Sequence, residues 1–296
     1  MSYHAAGAPA GPAQAAARTA SALNASHDGN GLAAGWRALH GSLCAEWVKL
    51  RTLAGNFWLL AALVALTVAV SGAAAAAVSC PSGGCGVDPA RTSLTGIYLG
   101  QAVAAILGVL VISSEYSSGM IRVTLTAMPR RITVLSAKAM IIGGLTLAAG
   151  AIAVAGSLLA GRVLLASHGF TPAHGYPAMA LGDAPVLRAA AGSVLYLALI
   201  AVFSLGVAIT IRDPGPAIGT VLGLLYLDPI IAAVVHGTHW HNVIERYAPM
   251  TAGLAVQATT GLRSLPISPW AGLGVLACWA GAALLSGALL LRLRDT

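Results

Sequence analysis

The stretch "LGQAVAAILGVLVISSEYSSGMIRVTLTAMPRRITVLSAKAMIIGGLTLAAG", Leu99–Gly150, decides the fold. Its two ends are apolar and carry no charge. Between them, Glu115, Arg122, Arg130, Arg131 and Lys138 concentrate charge in a chain where charged residues are only 8%. A membrane-crossing helix needs about 20 mostly apolar residues. Two apolar runs on either side of a charged segment therefore read as two spans and a loop. The runs are continuous rather than alternating, which selects helices over a barrel.

The same pattern extends along all 296 residues. Hydrophobic residues make up 57% and the mean hydropathy is +0.82, well beyond a soluble domain. Six spans are predicted: Phe57–Val78, Leu94–Ser113, Ala139–Gly161, Ala189–Ile211, Pro216–Val235 and Pro269–Leu291. The expected fold is all-α, a six-helix membrane domain over residues 57–292. Residues 1–35, rich in Ala, Gly and Pro without a sustained apolar core, are expected to be a disordered tail and not a secretory leader.

Orientation follows from Lys and Arg in the flanks of the spans. With six spans both termini share one side, which holds 11 of the 16 basic residues; Arg91, Arg162, Arg188, Arg246 and Arg263 lie on the other. Both termini are therefore expected in the cytoplasm. Arg outnumbers Lys 14 to 2 and Ala and Gly are abundant, which suggests a GC-rich bacterial genome and a bacterial plasma membrane. The net charge of +7 is accounted for by these flanks. No basic face on a soluble domain points to nucleic acid.

Several chemistries lack their residues. Neither Lys49 nor Lys138 follows a glycine, so there is no phosphate-wrapping P-loop. No His-Glu-x-x-His and no Gly-x-Ser-x-Gly occurs. His236, His239 and His241 in "HGTHWH" are a candidate zinc set, although interfacial histidines explain them as well. Asp228, before Pro229 in "LGLLYLDPIIAAVV", reads as an acid near mid-span, where it costs about 2.5–3.5 kcal/mol. It either marks a proton or substrate pathway, or caps a helix broken at Pro229. Cys80 and Cys85 lie on the expected outer face, where a disulfide is one of two open states. Gly96–Gly100 and Gly219–Gly223 are spaced for close helix packing. A short amphipathic helix is expected from Thr251.

Residues 36–56 form an amphipathic pattern: Trp36, Leu39, Leu43, Trp47, Leu50 and Leu53 recur at three and four, with Arg37, Glu46, Lys49 and Arg51 largely off that stripe. This predicts a helix lying in the inner interface. In the Ser114–Lys138 loop, a short helix from Tyr116 would group Met120, Ile121, Leu125 and Met128, and Pro129 would open the next helix. Glu115 is expected at the membrane boundary, paired with Arg122 or with a partner's arginine, and cheap to remove.

Here the residues resemble a family. "SEYSSGMIRVTLTAMPRRITVLSAK" resembles the loop between spans two and three of ABC type-2 transporter permeases, matching at Glu115, Tyr116, Gly119, Arg122, Leu125, Pro129 and Arg131. It departs at Met120, where the family usually has Thr. "EWVKLRT" resembles the family's segment before span one through Glu46, Trp47, Lys49, Leu50 and Arg51. Asp228–Pro229 stands where the family often has Glu-Pro, and "RYAPMTAG" is similar to its segment before the last span. The resemblance implies a coupling helix that docks on a separate ATP-binding subunit, an elbow helix before span one, and a pathway built from two permease subunits, identical or different. ATP and Mg would then belong to the partner; this chain would hold no cofactor and catalyse nothing itself. The rival expectations are a proton-coupled carrier using Asp228 and an intramembrane metalloenzyme using the histidines.

Overall fold

Hydrocarbon offers backbone N–H and C=O groups no water, so each apolar run must close its own hydrogen bonds. In the computed structural model, which describes residues 54–80, 86–117, 131–171, 182–234 and 238–294 with residues 40, 41, 43, 119 and 176 besides, every regular element among the described residues is helical. These are α1 (Ala54–Ala77), α2 (Pro89–Ser93), α3 (Ile97–Ser117), α4 (Arg131–Ser167), α5 (Ala184–Ile211), α6 (Pro214–Val234), α7 (Thr238–Tyr247), α8 (Pro249–Leu254) and α9 (Pro269–Arg294). Two 3-10 turns, Ala255–Gln257 and Leu262–Ser264, join α8 to α9. Six helices, α1, α3, α4, α5, α6 and α9, are long and apolar enough to cross a membrane.

The boundaries differ from expectation where capping and length matter. α3 begins at Ile97, after the short α2 and a turn, rather than at Leu94. It runs on through Tyr116, the residue expected to start a separate helix. α4 begins at Arg131 and has 37 residues, about 55 Å at 1.5 Å per residue, against a hydrocarbon core of about 30 Å. The helix expected from Thr251 is instead α8, opened by Pro249 at its first turn after an extended Ala248. The preceding α7 was not expected. Between α5 and α6 the chain turns at once: Arg212 is left-handed at φ 67°, the Asp213 Oδ1 accepts from the Gly215 N–H at 3.0 Å, and Pro214 starts α6.

α5 is the axis of the bundle and touches α3, α4, α6 and α9. Tyr196, Leu197, Ile200, Phe203, Leu205 and Ile209 on it are fully buried. α1 and α6 lie at the periphery, and only 22% of each span is buried, against 67% of the α3 span. Lipid tails are as apolar as leucine, so packing between spans relies on close contact rather than on escape from water. Glycines permit it. A Cβ on Gly96 would lie 1.9 Å from the Thr67 carbonyl oxygen of α1, and one on Gly108 2.3 Å from the Ala201 carbonyl oxygen of α5. The two glycine pairs read alike in sequence and differ here: Gly96 and Gly100 meet Thr67, while nothing lies within 4 Å of a Cβ on Gly219 or Gly223.

One seam joins the far ends of α1 and α4. The Cys80 N–H donates to the His168 carbonyl at 2.9 Å, and Cys80 packs with Ala75, Leu165 and Phe170. Gly169, at φ +95°, admits the Cys80 carbonyl where a Cβ would lie 2.3 Å from its oxygen. Cys80 is disulfide-bonded; Cys85, its expected partner, lies outside the described residues.

Candidate functional site

The last turn of α3 carries Glu115 and Tyr116, the second turn of α4 carries Lys138, and the α5–α6 turn carries Arg212. The Lys138 Nζ lies 2.7 Å from the Glu115 Oε1, with side chains 1% and 5% exposed. Glu115 is thus buried rather than boundary-exposed, and among the described residues it meets Lys138; Arg122, its expected partner, lies outside them. Lys138 is one of only two lysines in the chain, and removal of Glu115 is not cheap. An ion in a low-dielectric interior is tolerated only beside a close countercharge. The next residue continues the tie: the Arg212 guanidinium sits 5.3 Å over the Tyr116 ring, a cation–π distance, and Tyr116 also packs on the main core. α3, α4 and the α5–α6 turn are therefore linked where the chain enters and leaves residues 118–130.

Other predicted residues are placed unevenly. Gly119 is left-handed at φ +69°, and a Cβ on it would meet nothing within 4 Å. Arg131 opens α4. Arg122, Leu125 and Pro129 lie outside the described residues, as do Glu46, Trp47, Lys49, Leu50 and Arg51. Asp228 is the fifteenth of the 21 residues of α6. It is half-buried and has no hydrogen-bond partner among the described residues. α6 runs unbroken through Pro229, so no broken segment awaits a cap. His241 shares its Nδ1 with the Ala232 carbonyl at 3.0 Å; a carbonyl only accepts, so that nitrogen carries the proton. Its Nε2 lies 3.4 Å from the Glu245 Oε1. Among the described residues no three His, Cys, Asp or Glu side chains are grouped to hold a metal, and His236 lies outside them.

Two further sites were not foreseen. Inside the bundle the Gln101 Nε2 donates to the Met250 Sδ at 3.2 Å, its Oε1 accepts from the Tyr196 hydroxyl, and the Tyr226 hydroxyl donates to the Tyr98 carbonyl. These bonds satisfy polar atoms that would otherwise be costly in an apolar core. A single Gln in an apolar run was the available signal.

At the end of the bundle opposite Glu115, Asp88 caps α2 by accepting from the Arg91 N–H at 3.2 Å. It also reaches the loop before α9. Its Oδ2 accepts from the Thr259 N–H at 2.6 Å and the Thr260 N–H at 3.1 Å, and its Oδ1 accepts from the Thr259 hydroxyl at 2.6 Å. Burial is the largest influence on this carboxyl and raises its pKa. The bonds from the Thr259 side chain and from the Thr259, Arg91 and Thr260 backbones together outweigh it, so the net displacement is downward. Asp-Pro, an N-cap before a first-turn proline, is the local signal.

A depressed carboxyl contributes stability above its unfolded value of about 4, and that contribution fades as pH falls through the folded value. Asp88→Asn should therefore destabilise the purified protein by about 1–2 kcal/mol at neutral pH, and the gap to wild type should narrow as pH drops below about 4. Thermal unfolding in detergent across pH reads both, and a gap independent of pH contradicts a stabilising role for the Asp88 carboxylate bonds to Thr259 and Thr260.

The chain matches no protein-family model and no curated protein.

Proposed function

We propose that the chain is the membrane-spanning permease subunit of an ATP-driven exporter, with a separate ATP-binding subunit docking on residues 118–130 from the cytoplasm of a bacterial cell. Two permease subunits would frame the pathway, and ATP and Mg would sit in the partner. The observation that supports this most is the buried Glu115–Lys138 pair at the two roots of that segment. A push on the segment enters α3 and α4 together, because separating them breaks a buried ion pair. Tyr116 over Arg212 passes the push to the turn between α5 and α6. A loop that merely connected two spans would need no such tie.

Gly119 is the position that tests it. A leucine there takes on a left-handed backbone, at about 1–2 kcal/mol, and its Cβ meets nothing within 4 Å among the described residues. The expected result for Gly119→Leu is a folded protein that loses co-purification of its ATP-binding subunit, or loses stimulation of that subunit's ATP hydrolysis in proteoliposomes. Full retention of both overturns the proposal.

A second reading rests on Asp228, an acid in a span with no hydrogen-bond partner among the described residues: a proton-coupled carrier. It takes over if Asp228→Asn abolishes transport while Gly119→Leu leaves it normal.

A further inference from the structure

A cleft of about 290 Å³ opens at the Asp88 end of the bundle, among α2, the first turn of α3, Pro229 of α6 and the segment from α7 to Pro266. Much of its lining is apolar, including Tyr98, Met250, Leu254 and Leu265. Two opposite charges line it as well, Arg91 of α2 and Glu245 of α7. They do not pair with each other. The Glu245 Oε1 lies 3.4 Å from the His241 Nε2, and the Arg91 guanidinium has no ion-pair partner among the described residues.

The walls are held by other groups. Asp88 pins Thr259 and Thr260. The Arg246 Nε donates to the Pro266 carbonyl at 3.2 Å. The Thr251 hydroxyl bonds the Ile244 and Glu245 carbonyls at 3.3 Å each. The cleft is thus preformed, and neither Arg91 nor the Glu245 carboxylate is needed to build it. Its volume is at the small end of ligand sites, enough for a headgroup and its first carbons but not a whole lipid.

Opposite charges that share a cavity without meeting leave a gap that one molecule bearing both signs would bridge. We propose that this cleft binds a zwitterionic amphiphile. Its phosphate or carboxylate lies on Arg91, whose planar fork suits such groups. Its ammonium lies on Glu245, and its apolar part rests on Tyr98, Met250 and Leu254. The chemistry is shared by a membrane lipid headgroup and a water-soluble zwitterion. The inference does not depend on an ATP-binding partner, because binding needs no nucleotide.

Calorimetric titration of the full chain in a non-ionic detergent tests it with three probes: dihexanoyl phosphatidylethanolamine, dihexanoyl phosphatidylglycerol and phosphoethanolamine. The phosphatidylethanolamine should bind saturably, and Arg91→Ala and Glu245→Gln should each weaken it about tenfold, as expected for one charge-assisted contact. The phosphatidylglycerol, lacking the ammonium, should respond to Arg91→Ala only. Arg263→Ala, exposed and outside the cleft, should change nothing. Phosphoethanolamine binding as tightly as the lipid identifies a soluble zwitterion; weaker binding identifies the lipid. Arg91 is exposed and Glu245 half-exposed, so both variants should melt like wild type. Binding that neither variant changes, sensitivity to Arg91 alone, or no saturable binding of either zwitterion overturns the proposal.

Discussion

Lys138→Met is expected to destabilise the bundle by about 3–5 kcal/mol, the cost of breaking a buried ion pair by removing one partner. Glu115 is 4% exposed and its Oε1 lies 2.7 Å from the ammonium that the variant removes. An exposed pair would cost about 0–1 kcal/mol, and burial makes the difference. Glu115→Gln removes the carboxylate from the buried Lys138 ammonium and should also destabilise. The double variant Glu115→Gln, Lys138→Met removes both ions and should recover most of the loss, since well-packed neutral replacements of buried pairs are often nearly neutral. Denaturant unfolding of all four proteins in mixed micelles gives the cycle directly. A Lys138→Met protein within about 0.5 kcal/mol of wild type would mean that the pair is open to water. Loss of transport in a Glu115 variant would report folding as much as coupling, so Gly119 is the cleaner probe of the loop.

The second large effect concerns two glycines that the sequence does not distinguish. Gly108→Leu should destabilise the protein by about 3 kcal/mol or more, beyond ordinary overpacking. Its Cβ alone would lie 2.3 Å from the Ala201 carbonyl oxygen, and two backbones must part to admit it. Gly219→Leu should be neutral or stabilising by about 0.5–1 kcal/mol, because a helical glycine is replaced by a better helix former where nothing lies within 4 Å. Melting both variants in detergent separates the outcomes. Equal effects would contradict the α3–α5 contact.

The six spans were legible because each is a continuous apolar run, and lipid leaves such a run one backbone solution. The short helices were not, because they are fixed by caps and by partners far along the chain. Asp88–Pro89 announces a helix start, but its bonds to Thr259 lie 171 residues away. Glu115 announced itself by being charged. The Lys138 ammonium it meets is 23 residues on, farther along the chain than Arg122, the cation that local reading favoured and that lies outside the described residues. Gly96 and Gly219 stand in the same local pattern, and only the neighbouring helix tells them apart.

The seam at Cys80 and the length of α4 have a mechanical consequence. α4 is fastened at one end, through His168 and Gly169, and its other end emerges at Arg131 beside the loop. A rod of about 55 Å held this way is a lever with its fulcrum at the seam. A rotation of about 5° there sweeps the Arg131 end through an arc of about 5 Å, given the helix rise. Small rearrangements near the fulcrum and large strokes at the Arg131 end, shared with α3 through Lys138 and Glu115, are then one movement.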